Sequence, residues 1–200
     1  ISFCDYNERK DTWMGKKYQQ GIAIIYHDVN HEARSREMLE CMEFLCDRLT
    51  FVSYAKPLYP HCFAFVQTAG STLRYIIFLW GAIRTIKKLE PDVILLHDNL
   101  TAPVLCWLKR SGRKGKVIYD SSEYYLDRKP STLKEKIAYG TIKLEKRWLK
   151  TAEVVIAANQ ERAEIMRDQY ALSALPEVFD NMHRIDDAVN AALYRIKYDS

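Results

Sequence analysis

Short apolar runs rich in β-branched residues alternate with amphipathic runs along most of this chain, with polar turns between them. Ile22–Asp28 is apolar until its last two residues and reads as a strand. Arg34–Cys46 follows, with Met38, Leu39, Met42, Leu45 and Cys46 at helical spacing. Leu49–Tyr54 and Cys62–Val66 read as the next strands. Ser71 is placed to cap a helix running to about Leu89, which Pro91 stops. Asp92–Leu96 is the plainest strand. Thr101 is placed to cap a further helix, with Pro103 in its first turn and Gly112 at its end. Lys116–Tyr119 reads as a strand, Thr132–Lys150 as a helix and Val154–Ala158 as a strand. Asn159 is placed to cap a helix to about Tyr170, and Val178–Phe179 makes a last short strand.

Several strand runs lack polar alternation, which is the mark of strands buried on both faces of a parallel sheet. Helical runs between them predict a doubly wound α/β layer. Residues 1–20 read as a polar arm, residues 21–182 as the α/β domain, and residues 183–200 as a link or the start of another domain. The arm is polar and charged, so no secretory leader is read in it. The chain has no initiator Met and reads as a piece of a longer protein.

In such a sheet, ligands bind beyond the carboxyl ends of the strands. Polar residues at those ends therefore select the candidate chemistry: His27 and Asp28, then His97, Asp98 and Asn99, then Asp120, Ser121, Ser122 and Glu123, then Asn159. His97 ends the plainest strand, where a histidine is suited to exchange a proton with a ligand hydroxyl. Ser122, Glu123 and Tyr124 place a carboxylate beside aromatic rings, a pairing that suits carbohydrate. No GxGxxG follows the first strand, and neither GxxxxGK[ST] nor GxSxG occurs. Those absences argue against a dinucleotide cofactor, a P-loop and a nucleophile elbow. His27 and His31 straddle a strand end rather than sharing a helix face, so no metal is expected.

Charge adds one feature. Lys and Arg number 30 against 26 Asp and Glu, a net +4. Thr132–Lys150 alone holds six basic and two acidic residues. Lys143, Lys146, Arg147 and Lys150 are therefore the candidate contact with an anionic membrane surface. No nucleic-acid partner is expected. The cysteines are five in number, without CxxC spacing, and read as reduced, buried thiols of a cytoplasmic protein.

The chain resembles the N-terminal, acceptor-side half of a GT-B glycosyltransferase of the large retaining family 4. The pieces that carry the resemblance come in the family's order. They are IAIIYHD, the Arg-containing helix start Glu32–Glu37, PDVILLHDN, KVIYDSSEYY, LEKRWLKTAEVVIAAN and LPEVFDNMHRID. Together they span residues 21 to about 187, and Ser122 stands where the family usually has His. The resemblance implies a Rossmann-like three-layer domain, one half of a two-domain enzyme with its site in the cleft between halves. It implies a sugar moved from a nucleotide-sugar co-substrate, held mainly by a C-terminal domain, to a glycan or lipid-linked acceptor in cell-surface polysaccharide synthesis. No cofactor or metal is implied, and the place of work is cytoplasmic, peripheral on the inner face of the membrane. His97 is the implied catalytic residue, with Asp28, Asp98, Asn99, Ser122, Glu123 and Tyr124 binding substrate. His97→Ala is accordingly expected to cut turnover and leave folding nearly intact. The competing expectation is a stand-alone flavodoxin-like binding or regulatory domain without catalysis.

Overall fold

In the computed structural model, residues 18–58, 64–67, 73–121 and 133–179 are described. Seven strands form one sheet: β1 (Tyr18–Ile25), β2 (Cys46–Ser53), β3 (Ala64–Gln67), β4 (Val93–His97), β5 (Lys116–Ser121), β6 (Val154–Ala157) and β7 (Glu177–Val178). Their order is β3-β2-β1-β4-β5-β6-β7, and every pair is parallel. The helices are α1 (Ala33–Leu45), α2 (Arg74–Leu89), α3 (Ala102–Ser111), α4 (Leu133–Trp148) and α5 (Gln160–Gln169).

Alternate residues of each strand feed two apolar layers, as the two-residue pleat requires. Ile22, Ile24, Ile94, Leu96, Val117 and Tyr119 face the layer closed by Phe78, Ala82 and Ile86 of α2, Val104, Leu105 and Leu108 of α3, and Ala163 and Met166 of α5. Ala23, Ile25, Phe51, Val93 and Leu95 face the opposite layer, closed by Met38, Leu39 and Met42 of α1 and by Phe179. Helices on both faces explain why β1 and β4 read as unbroken apolar runs. The doubly wound α/β expectation is met.

Local signals behave as their chemistry dictates. Asn159 caps α5 by accepting a hydrogen bond from the Arg162 N–H at 2.8 Å. Gly112 closes α3 at φ 65°, the left-handed conformation that glycine adopts without a Cβ clash. Other details differ from expectation, among them Cys46, read as part of the helix, which opens β2 directly after α1. Thr101 precedes α3 without capping it, because its hydroxyl donates to the Asp98 carbonyl at 2.8 Å and closes a tight turn over Asn99–Thr101. β1 begins at Tyr18, where the Gln20 N–H finds the Asp92 carboxylate at 2.9 Å and so extends the strand into polar sequence.

Ser71, Cys4 and Cys62, residues 1–17 of the polar arm and residues 183–200 of the link lie outside the described residues. Cys46 and Cys106 are buried and Cys41 is half-buried.

Candidate functional site

The strand order reverses between β1 and β4, and a crevice forms at the carboxyl ends of strands at such a switch point. His27 lies just past β1 and Asp98 just past β4. The two meet across the switch point, His27 Nε2 standing 3.0 Å from Asp98 Oδ2. His27 keeps about a third of its side chain exposed, at 34%, while Asp98 is buried. The other oxygen of the Asp98 carboxylate is buried without a hydrogen-bond partner among the described residues. Asp98 also sits at φ 65°, ψ 167°, a backbone conformation that costs a non-glycine residue about 1–3 kcal/mol. Hydrogen bonds hold it there: its N–H donates to the Asp120 carbonyl, and its own carbonyl accepts from the Tyr119 hydroxyl and the Thr101 N–H.

Behind this pair lies a buried ionic network built from α1, β4 and β5. His97 is fully buried, and both ring nitrogens are engaged. Nδ1 stands 2.7 Å from Asp120 Oδ2. Nε2 stands 3.0 Å from Ser35 Oγ and 3.6 Å from Glu32 Oε1. The Ser35 hydroxyl in turn donates to the Glu32 carboxylate. Asp120 accepts from Arg34 Nε on both oxygens, at 3.0 and 3.1 Å, and from Nη2. Arg34 also donates to the Phe179 carbonyl at 2.7 Å, so the network ties α1 to the last described residue.

Burial works against every charge here, and mutual pairing overrides it. Burial alone would lower the His97 imidazole, yet hydrogen bonds to Asp120 and Glu32 push it up to about 10. Burial would raise Glu32 and Asp120. His97 outweighs it at Glu32, which falls to about 2. His97 and then Arg34 do the same for Asp120, holding it below the ordinary carboxylate range. Glu145 of α4 has no such cation. Burial, helped by the nearby Asp98, raises it to about 8, against the downward pull of the Ser121 hydroxyl, at 2.9 Å, and the Tyr119 hydroxyl.

The other expected site residues fall in different places. Asp28 holds a turn, its Oδ1 accepting from the Asn30 backbone and side chain at 3.0 and 2.8 Å. Asn99 is buried and points away from the crevice, donating to Thr141 Oγ1 of α4 at 3.1 Å. Ser122, Glu123 and Tyr124 lie outside the described residues. Lys143, Lys146, Arg147 and Lys150 are exposed, on one face of α4 and the turn after it. Glu32, Arg34, Ser35 and Asp120 enter the centre of the site, although the sequence marked Arg34 only as part of a helix start. The one signal that pointed to Asp120 was its place at a strand end.

No protein-family model matches the sequence, and no curated protein matches it either. Solved structures do match in fold. Sucrose-phosphate synthase from Thermosynechococcus elongatus superposes with a TM-score of 0.58 at 13% identity, over 88% of this chain and 52% of that one. A UDP-N-acetylglucosamine 2-epimerase superposes with a TM-score of 0.55 at 13% identity, over 88% of this chain and 51% of that one. The chain thus spans about half the length of either structure. With its all-parallel seven-stranded sheet, it has the Rossmann-like α/β fold of one half of a GT-B-type enzyme.

Proposed function

We propose that this chain is the acceptor-side half of a retaining glycosyltransferase that works with a second, donor-binding domain. It moves a sugar from a nucleotide-sugar to a glycan or lipid-linked acceptor in cell-surface polysaccharide synthesis, on the cytoplasmic side of a membrane. The observation that carries this reading is the cluster of polar side chains at the switch point. There the half-exposed His27 and Glu32 form a polar rim over the buried Asp98, His97 and Asp120. Imidazole and carboxylate side by side suit sugar hydroxyls, which both donate and accept. Two neighbours in fold whose names refer to sugar chemistry support the reading. His97 takes part by holding Glu32 in place, because its own nitrogens are already engaged. The donor diphosphate calls for no metal or cofactor in this reading.

Turnover of a nucleotide-sugar panel by the complete protein tests it. His27→Ala and Glu32→Gln are each expected to lower kcat by about 100-fold with an unchanged circular-dichroism spectrum. The 200-residue chain alone is expected to be inactive. Binding without turnover by the complete protein overturns the reading in favour of a binding domain, and robust turnover by the 200-residue chain overturns the two-domain part.

The exposed basic face of α4 is the proposed contact with anionic lipid. Among the described residues no helix is long and apolar enough to cross a membrane. Each Lys or Arg near an anionic surface contributes about 1 kcal/mol, screened by salt. The triple change Lys143→Gln, Lys146→Gln and Arg147→Gln is therefore expected to weaken co-sedimentation with phosphatidylserine vesicles about 100-fold at low salt. Undiminished sedimentation moves the contact elsewhere. The next surface is α2, where Leu73, Ile76 and Trp80 are exposed and Arg84 lies over Trp80.

A further inference from the structure

We propose that His27, Glu32 and His97 form a binding site for one zinc ion at the switch point, with an open coordination position on the crevice side. Three separate segments supply the ligands: the loop after β1, the residue before α1 and the end of β4. One ligand atom from each lies within 4.8 Å of the other two. Tetrahedral zinc with bonds of about 2.0–2.2 Å needs its ligand atoms about 3.3 Å apart. The required contraction falls to His27 and Glu32, each about one-third exposed, which would trade their hydrogen bonds to Asp98 and Ser35 for the metal while His97 stays fixed.

The surroundings of His97 are those of a metal ligand. A zinc-binding histidine typically gives its other ring nitrogen to a carboxylate, which sets the tautomer and aims the ligating nitrogen. Here Asp120 takes Nδ1 at 2.7 Å and is itself locked by Arg34, which turns Nε2 toward the Ser35 hydroxyl at 3.0 Å and Glu32 at 3.6 Å. Charge points the same way. Three carboxylates, Glu32, Asp98 and Asp120, stand against Arg34 and the His97 imidazole, and Asp98 keeps a buried oxygen with no hydrogen-bond partner among the described residues beside His27. A divalent cation in the gap offsets that excess. Two imidazoles and one carboxylate suit zinc better than magnesium or calcium, which prefer all-oxygen sites. Three protein ligands leave a fourth position for water or a ligand hydroxyl, because the rim residues border the solvent.

The expectation of no metal rested on His27 and His31, the histidines close in sequence. In the fold His31 is largely exposed and faces Asp28 at 4.0 Å, and His97 and Glu32 take its place beside His27. The zinc site does not depend on the glycosyltransferase reading, and its test reads metal binding rather than turnover.

Zinc chloride titrated calorimetrically into the chelator-stripped full chain is expected to bind with one site per chain. His27→Ala and Glu32→Gln are each expected to weaken binding at least about 10-fold, and His31→Ala to leave it unchanged. Circular dichroism of each variant separates lost binding from lost fold. Cobalt(II) in place of zinc is expected to show no thiolate charge-transfer band, which rules out the cysteines as ligands. Absence of saturable one-to-one binding, binding that survives both rim variants, dependence on His31 or a thiolate band would each overturn the proposal.

Discussion

Arg34→Met is expected to destabilise the fold by about 3–5 kcal/mol, the cost of removing one partner from a buried ion pair. Arg34 is 5% exposed and Asp120 fully buried. The guanidinium meets the carboxylate through both Nε and Nη2, and its Nη1 holds the Phe179 carbonyl. Methionine fills part of the volume and replaces none of these bonds. It leaves Asp120 with His97 as its one remaining cation, in a dry interior where an unbalanced charge is costly. Domains of this size are stable by about 5–15 kcal/mol, so the change removes a large share. Urea denaturation measures it. Pairing the change with Asp120→Asn is expected to cost less than the sum of the two single changes, because the second removes the charge that the first stranded. A loss under about 1 kcal/mol for Arg34→Met alone would overturn this account of the network.

Stability is expected to be highest near pH 4.5 and to fall on both sides, more steeply above pH 6.5 where His97 joins Glu145. The groups that set this profile have unfolded-state values of 6.5 for His97 and 4.5 for Glu32 and Glu145. His97 is raised to about 10, so its contribution is complete below 6.5 and disappears as pH climbs through 10. Glu145 is an acid raised to about 8, so the folded state holds its proton longer than the unfolded state does. Its burial therefore costs more stability as pH rises from 4.5 to 8, on the order of a few kcal/mol. On the acid side Glu32, lowered to about 2, and Asp120, lowered as well, stabilise above their unfolded values and lose that contribution as pH falls. Urea midpoints collected from pH 3 to 9, with chelator present, test the shape. Glu145→Gln is expected to flatten the alkaline arm between about pH 5 and 8, because glutamine keeps an acceptor for Ser121 without the titration. A wild-type midpoint that stays level or rises from pH 6.5 to 9 would contradict the assignment.

His97 shows how burial changes an expectation about a mutant. As a strand-end residue it read as a group whose loss spares the fold. Fully buried between Asp120 and Glu32, it is instead a cation whose removal strands two carboxylates. His97→Ala thus belongs with Arg34→Met among changes expected to cost the fold stability, so that lost turnover alone would not assign it a role.

Most strands and helices were legible in the sequence, through signals that act within a few residues. Unbroken apolar runs made β1 and β4, Gly112 ended α3 in the left-handed conformation, and Asn159 capped α5. The sequence also determined that polar strand ends would gather at one edge, because parallel strands all finish there. Which of those residues meet was not legible in it, because that depends on how distant segments pack. Arg34 and Asp120 are 86 positions apart, His27 and Asp98 71, and Ser35 and His97 62. Their contacts follow from β1 lying beside β4, from the register that sets His97 next to Asp120, and from α1 entering directly above both. A spacing pattern encodes the period of an element but not its neighbours. Burial and pairing therefore turned Asn99 toward α4, set Asp28 in a turn and enclosed His97, leaving His27 and Glu32 on the rim.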